Sequence, residues 1–457
     1  MRMSIYGLAT REWRARFPGY AEKAILGLAV AAAVLGYGAT LRAAPLPPIE
    51  QVTIGMNQEL LVNGKPFFPM IMTLAGHWHE GHAEVAAAGF NAIDIYGTAN
   101  YGREDLNNAW TNNLYGVVTL NDRWKDMTEL AALVEELRDH PALLAWALPD
   151  EPDIYTTHTP ELIRQMYDVI KAADPRHPVC LNLSEPGRGG EYARACDIIS
   201  EDSYPVQKMH YHLSLPALRA RQLRHNVQEA PYFEDRKPVW AYVQTYRVDN
   251  HDLDSIGPAP TPAQVRCMAY MLIANRVTGL PFYSFHETGS KVGRSGADLP
   301  SSQAGWRLSR DEPELWASLK ILNEEIRGLT PVILAGTAPA QIEVQMLAPA
   351  SAKTDPWGFA PLHTLVRQWD GALYVIAVNG LDEPVAARFQ LSGLGGFRPA
   401  SQAAVLFEDR AVEVIRSTAD ASFTDEFASN GVHVYRLPRH RIRWGFAGAS
   451  EKHNPRN

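Results

Sequence analysis

Cysteine is scarce in this chain: three residues, Cys180, Cys196 and Cys267, among 457. The count is odd, the spacings fit no zinc pattern, and each lies in an apolar segment, so buried thiols are expected rather than a disulfide framework. Basic runs are also missing. Nothing longer than "RHRIR" (439–443) occurs and the formal net charge is −8, so nucleic acid is not an expected partner. Glycine-rich phosphate fingerprints are absent, as are internal repeats. No apolar run after residue 41 is long enough to span a bilayer.

One such run stands near the start. Residues 24–41, "AILGLAVAAAVLGYGATL", carry no charge. Arg2, Arg11, Arg14, Arg16 and Lys23 precede them, and a polar, proline-rich "RAAPLPPIEQ" follows. Basic, then apolar, then small is the layout of an export signal, and the same stretch would serve as a retained N-terminal anchor. Either reading leaves the positive side in the cytoplasm and sends residues 45–457 out, to a periplasmic, secreted or membrane-anchored location. Residues 1–44 are therefore set apart from the fold.

From residue 60 onward, apolar strand-like runs alternate with stretches of helical period. The strands are "PFFPMIMTL" (66–74), "NAIDIYG" (91–97), "LYGVVTLN" (114–121), "ALLAWALPDEP" (142–152), "HPVCLNLS" (177–184), "CDIISEDSYP" (196–205), "KPVWAYVQTY" (237–246) and "GLPFYSFHE" (279–287). Between them lie helices such as "TPELIRQMYDVIKAAD" and "TPAQVRCMAYMLIANRV", each with Thr at the cap and Pro at the first helical position. Eight strand–helix pairs over about 270 residues predict an α/β fold, a (β/α)8 TIM barrel, over a doubly wound open sheet. Beyond Leu329 the texture alternates apolar and polar residues with Gly and Asp at turns, which predicts a small all-β sandwich. The expected domains are 1–44, the signal or anchor; 45–336, the barrel; 337–437, the sandwich; and 438–457, a polar tail.

Barrels of this kind place their sites at the C-terminal strand ends. Those ends offer His77 and Trp78; Asp94 and Tyr96; Asp150 and Glu151; Asn182; Asp202 and Tyr204; Gln244 and Tyr246; Tyr283 and Glu287. The set is acidic and aromatic and contains no lysine. It suits sugars: ring faces stack on aromatic side chains, hydroxyls bond carboxylates and amides, and the glycosidic oxygen needs a proton.

On "LLVNGKPFFPMIM", "WALPDEPD", "DIISEDSYP", "KPVWAYVQTY" and "GLPFYSF", residues 58–437 resemble the clan A glycoside hydrolases, which include β-galactosidase-like and cellulase-like families. The resemblance implies that Glu151 is the general acid/base, with Asp150 standing where the clan usually has Asn. It also implies a carboxylate nucleophile at the end of strand 7, where this chain has Gln244. An amide cannot serve in that way, so Glu287 or Asp202 is expected to be the base or nucleophile. Asp150, Gln244, Tyr204, Tyr246, Trp78 and His77 are expected to position substrate, with Asp94, Tyr96, Asn182 and Tyr283 as further binding residues. Desolvation and the neighbouring Asp150 are expected to raise the pKa of Glu151. The expected partner is a carbohydrate, and no cofactor is implied. Two alternatives stand. "GHWHEGH", with His77, His79 and His82, resembles the start of a metal-dependent amidohydrolase site, and the missing strand-7 carboxylate leaves room for a non-catalytic carbohydrate-binding barrel.

Overall fold

The computed structural model describes residues 45–73, 79–96, 102–121, 123–207, 211–229, 236–247, 249–250, 255–287, 306–349, 358, 360–417 and 419–440. Among the described residues, all the elements of the fold belong to one compact unit, Pro48–Asn457. The segment 24–41 lies outside the described residues; among those described, no helix is long and apolar enough to cross a membrane.

Three short antiparallel strands, β1 (Val52–Ile54), β2 (Leu60–Val62) and β3 (Lys65–Phe67), lead into the barrel. The turn of the β2–β3 hairpin is Asn63–Gly64, both at positive φ, as a two-residue hairpin loop requires. The barrel strands are β4 (Met70–Met72), β5 (Ala92–Tyr96), β6 (Tyr115–Thr119), β7 (Leu143–Ala147), β8 (Val179–Leu183) and β9 (Ile198–Glu201), and then a split seventh strand, β10 (Val239–Ala241) and β11 (Val243–Gln244). A two-stranded ribbon, β12 (Asp249–Asn250) and β13 (Ser255–Ile256), precedes the eighth barrel strand, β14 (Leu280–Tyr283). All barrel pairings are parallel. β10 pairs with β9 on one side and β11 with β14 on the other, so the two pieces of the seventh strand close the ring. The break falls at Tyr242.

The helix starts follow the caps legible in the sequence. Thr159 accepts from the Leu162 amide at the head of Pro160–Ala173, and Thr261 forms a capping box with Gln264 at the head of Pro262–Ala274. On β7, Ala147 faces the barrel axis and its neighbour Trp146 faces outward, in the two-residue alternation of a strand. Trp146 is fully buried, and its indole Nε1 donates to Asp174 Oδ2 at 2.9 Å. His177 Nδ1 meets the same oxygen at 2.7 Å, and the Arg176 amide donates to Asp174 Oδ1 at 3.0 Å. This network ties the outer face of the fourth strand to the end of helix Pro160–Ala173.

Beyond β14, β15 (His286–Glu287) pairs with β16 (Trp306–Arg307), and helix Pro313–Ile333 completes the outer ring. The remaining strands are β17 (Gln341–Ala348), β18 (Leu362–Trp369), β19 (Ala372–Asn379), β20 (Val385–Ser392), β21 (Gln402–Leu406), β22 (Arg410–Glu413), β23 (Ile415–Arg416), β24 (Ala421–Phe427) and β25 (Val432–Pro438). They form two antiparallel sheets, β17-β20-β24-β23 and β18-β19-β25-β21-β22. Every residue of β19 is buried. Leu373, Val375 and Ala377 face the sandwich core, built around Phe389, Phe423 and Tyr435. Ala372, Tyr374, Ile376 and Val378 join the core shared with the barrel helices. One strand thus serves two cores. Arg266 donates to the Val432 carbonyl at 3.0 Å across this junction. The three thiols are buried and unbridged.

Candidate functional site

A cavity of about 340 Å³ opens at the C-terminal ends of the barrel strands. Its walls include Asp94, Asp150, Glu151, Asn182, Asp202, Tyr204, Tyr246 and Tyr283. Thus β5, the β7–helix loop, β8, the loop after β9, the loop after β11, and β14 bring eight of the residues expected from the sequence to one place. Asn121, which ends the third strand of the sequence reading, also lines the cavity, and Trp240 and Tyr242 bear chemistry that strand-end reading passed over.

The three acids of "DEPD" do different work. Asp153 turns away from the cavity and accepts from the backbone amides of Ser184 and Glu185 at 3.1 and 2.6 Å, which fixes the loop after β8. Asp150 is held from both sides. Its amide donates to Asn121 Oδ1 at 3.1 Å, and its carboxylate accepts from Asn182 Nδ2 at 3.0 Å. Asn182 in turn accepts from Ser200 Oγ at 3.0 Å, so its orientation is set by β9. Glu151 sits between them at φ +43°, in the left-handed region, directly before Pro152. A non-glycine residue is strained there, by ~1–2 kcal/mol. The strain turns the chain so that Glu151 joins Asp150 on the cavity wall. A direct check compares two truncations that both remove the carboxylate. Glu151→Gly should be more stable than Glu151→Ala by ~1 kcal/mol, because only glycine relaxes the backbone. Equal denaturation midpoints for the two would mean that the turn stores no strain.

The electrostatics single out the aspartates. Burial pushes the Asp150 carboxyl up to about 6; the Asn182 hydrogen bond opposes the rise, and the charges of Glu151 and Asp153 add to it. Asp202 is held well above the usual carboxylate range, first by burial and then by the nearby charges of Glu151 and Asp150, against the opposing pull of Asn182. Its Oδ1 is buried with no hydrogen-bond partner among the described residues. Tyr242, in the break of the seventh strand, is raised by burial and by the charges of Asp150, Asp202 and Asp94, which places it among all three acids. The upward shifts on this wall lie on Asp150 and Asp202.

One wall is aromatic. The rings of Tyr204, Tyr246 and Tyr283 form a triangle with centroids 5.1, 5.4 and 4.9 Å apart, two contacts edge-on and one tilted. Such a cluster presents a rigid, amphipathic surface of the size of a sugar ring.

One expectation needs correction. Gln244 does not face the cavity. The Val206 amide donates to its Oε1 at 2.8 Å, and its Nε2 donates to the carbonyls of Val206 and Tyr246 at 2.8 and 3.1 Å. The side chain is spent on pinning the loop that carries Tyr204, so it positions a wall rather than a substrate. Glu201, next to Asp202 on the same strand end, points the other way. It is fully buried beside Arg219 Nε at 3.6 Å and accepts from Ser203 Oγ at 3.0 Å. Glu287 lies four residues past β14, in β15 of a separate two-stranded sheet, paired with Trp306; its side chain, like that of Tyr96, is outside the described residues. His77 and Trp78 lie outside them altogether. Of the third histidine in that stretch, His82 is buried in helix His79–Ala87. No group of three or more His, Cys, Asp or Glu able to hold a metal ion occurs among the described residues.

Glu201 yields a separable test. Burial raises its carboxyl to about 8, with Arg219 and Ser203 pulling it back. A carboxyl raised on folding contributes fully below the unfolded pKa of 4.5 and loses that contribution as pH rises through about 8. Glu201→Gln, which cannot ionise, should therefore gain stability over the parent between pH 5 and 9, at ~1.4 kcal/mol per pKa unit of the shift. A stability difference that does not change with pH would remove the buried charge from the account.

No protein-family model and no curated protein sequence matches the chain. Solved structures do resemble it. A glycoside hydrolase family 5 protein from Bacteroides vulgatus ATCC 8482 aligns at TM-score 0.55 and 13% identity over 85% of this chain and 94% of that one. The β-galactosidase of Bacillus circulans sp. alkalophilus aligns at TM-score 0.51 and 9% identity, over 81% and 98%. AmyP in complex with maltose aligns at 0.50 and 9%, over 82% and 97%. The architecture is thus a (β/α)8 barrel followed by a β-sandwich, a fold shared with these solved structures. At these identities the likeness describes the fold.

Proposed function

We propose that this protein is a glycoside hydrolase acting on an extracytoplasmic oligo- or polysaccharide, with Glu151 and Asp202 as its catalytic pair. The observation that carries the reading is the placement of both carboxyls on one cavity wall, close enough that the charge of Glu151 raises Asp202, beside a tyrosine surface of sugar-ring size. The basic–apolar N-terminal segment supports export of residues 45–457.

Interacting carboxyls titrate as a unit. The proton that burial favours on Asp202 passes to Glu151 when the glycosidic oxygen arrives there. Glu151 protonates that oxygen as the bond to the anomeric carbon breaks. Asp202, then ionised, stabilises the positive charge that develops on the ring and takes the role of base or nucleophile. Asn182 and Asp150 hold the pair in register. Tyr204, Tyr246 and Tyr283 stack the sugar.

The cavity also limits the substrate. Its described walls carry four carboxylates, Asp94, Asp150, Glu151 and Asp202, and no Lys, Arg or His. An anionic sugar would be repelled there, whereas a neutral or amine-bearing sugar would not. A panel of neutral, amino-sugar and uronic-acid glycosides checks this. Turnover is expected on the first two groups and not on the third. Preferred cleavage of uronides would contradict the charge argument. Sugar binding without turnover on any member would favour a non-catalytic binding barrel, and activity abolished by chelation would favour the metal hydrolase.

A further inference from the structure

At the opposite end of the barrel lies a second cavity, of about 160 Å³, where the strands begin and the sandwich meets the barrel. Thr278 precedes β14 and Arg236 precedes β10, so this is the N-terminal face. The walls include three arginines, Arg236, Arg276 and Arg367, and the polar side chains of Asn57, Gln58 and Thr278. Among the described residues no carboxylate lines it.

Arg367 is the anchor. It is 8% exposed, and its guanidinium reaches only main-chain carbonyls, of Ile333 at 3.4 Å and Val366 at 3.3 Å. No ion pair to Arg367, Arg276 or Arg236 exists among the described residues. Burial, with the charge of Arg276 adding to it, lowers Arg367 to about 10. The molecule therefore keeps the buried Arg367 guanidinium without a counter-charge among the described residues and beside a second cation, the exposed Arg276. A buried charge of this kind is costly unless something pairs it. Beside them the Thr278 hydroxyl, on a residue 8% exposed, has no hydrogen-bond partner among the described residues.

A bland account exists. Helices Pro262–Ala274 and Pro313–Ile333 both end near this cavity, and arginines commonly settle at helix C-termini. Two such ends supply roughly half a negative charge each. Three guanidiniums exceed that; Arg276 meets a helix end only through its backbone amide, on the Ile273 carbonyl, and only the Arg367 side chain bonds one, the Ile333 carbonyl.

We propose that this cavity is a binding site for a small oxyanion: a phosphate or sulfate, free or as the terminal group of a small ester. Arg367 and Arg276 would supply the paired forks that match such an anion, and Thr278 a hydroxyl donor. The cavity's volume suits a tetrahedral anion and not a polymer. Its position, with residues from the barrel floor, the last barrel helix and the sandwich strand β18, means that an occupant would brace the two parts of the fold against each other. It has no part in the proposed chemistry at the other face.

The test is calorimetric titration of the full chain with inorganic phosphate, sulfate and glucose 6-phosphate at constant ionic strength in chloride. Saturable binding of phosphate or sulfate at one site per chain is expected, with a rise in Tm that grows with anion concentration. Arg276→Gln should raise the Kd at least tenfold, and Thr278→Val about threefold. Arg276 is more exposed than Arg367, whose own replacement risks the fold. Equal affinity for glucose 6-phosphate would identify a terminal ester as the ligand, and its exclusion would identify a free anion. Glu234 and Asp235 lie outside the described residues, so the titration is repeated with Glu234→Gln/Asp235→Asn. Absence of saturable binding in both the parent and this variant overturns the proposal, as does a Kd that Arg276→Gln leaves unchanged.

Discussion

Glu151→Gln should lower kcat by ~10²–10⁴-fold, the usual contribution of a positioned proton donor, with the fold intact. Asp202→Asn should lose a comparable factor. The reason for expecting both is the arrangement of the site. Burial and two like charges hold Asp202 well above the ordinary carboxylate range, which favours its proton-bearing form. Removing either carboxyl removes the proton store or its delivery. The effects should be far from additive, since the two act on one bond: the double variant should be little worse than either single one. Circular dichroism and denaturant midpoints separate this from misfolding. Asp202→Asn should not destabilise the protein at neutral pH, because a neutral isostere removes the cost of burying a charge at that position. Wild-type turnover in Glu151→Gln would remove that residue from the mechanism, whatever the behaviour of Asp202.

The largest expected effect on stability is at Asp174. Replacing it with alanine should cost ~3–5 kcal/mol, the usual consequence of taking one partner from a buried polar network. Asp174 is fully buried and serves Trp146 Nε1, His177 Nδ1 and the Arg176 amide. Alanine would leave the indole N–H and the imidazole in a dry core without that partner. Although burial alone would raise it, hydrogen bonds from His177 and Trp146 hold the Asp174 carboxyl below its ordinary value. A carboxyl lowered on folding contributes stability above its unfolded pKa and loses it as pH falls through the folded one. The penalty of Asp174→Ala should therefore shrink under acid conditions, below about pH 4. Chemical denaturation at pH 7 and at pH 3 reads both quantities. A penalty under 1 kcal/mol at pH 7 would show that the network contributes little.

Much of this was legible in residue order. Eight apolar runs each ended in chemistry-bearing residues, and the Thr-Pro helix starts fixed where the strands had to stop. "LLAWALPDEPD" put two acids where a buried strand surfaces, and both reach the cavity. The rest was hidden for physical reasons. Strand alternation separates neighbours, so Glu201 and Asp202 face opposite sides although both stand at a strand end. Tyr242 sits in an unbroken apolar run, and only the interruption between β10 and β11 turns it toward the acids. Gln244 occupies the position to which the resemblance draws the eye, but hydrogen bonds to main-chain carbonyls leave no trace in a sequence. The arginine-lined cavity is assembled from residues as far apart as Asn57 and Arg367, so no local pattern announces it.

The most direct measurement is a crystal structure of Glu151→Gln soaked with a glycoside that the parent enzyme cleaves. A sugar ring should lie on the Tyr204–Tyr246–Tyr283 surface, its glycosidic oxygen within hydrogen-bond reach of residue 151 and its anomeric carbon facing Asp202. Substrate bound away from this cavity, or with its scissile bond remote from both residues, would contradict the assignment.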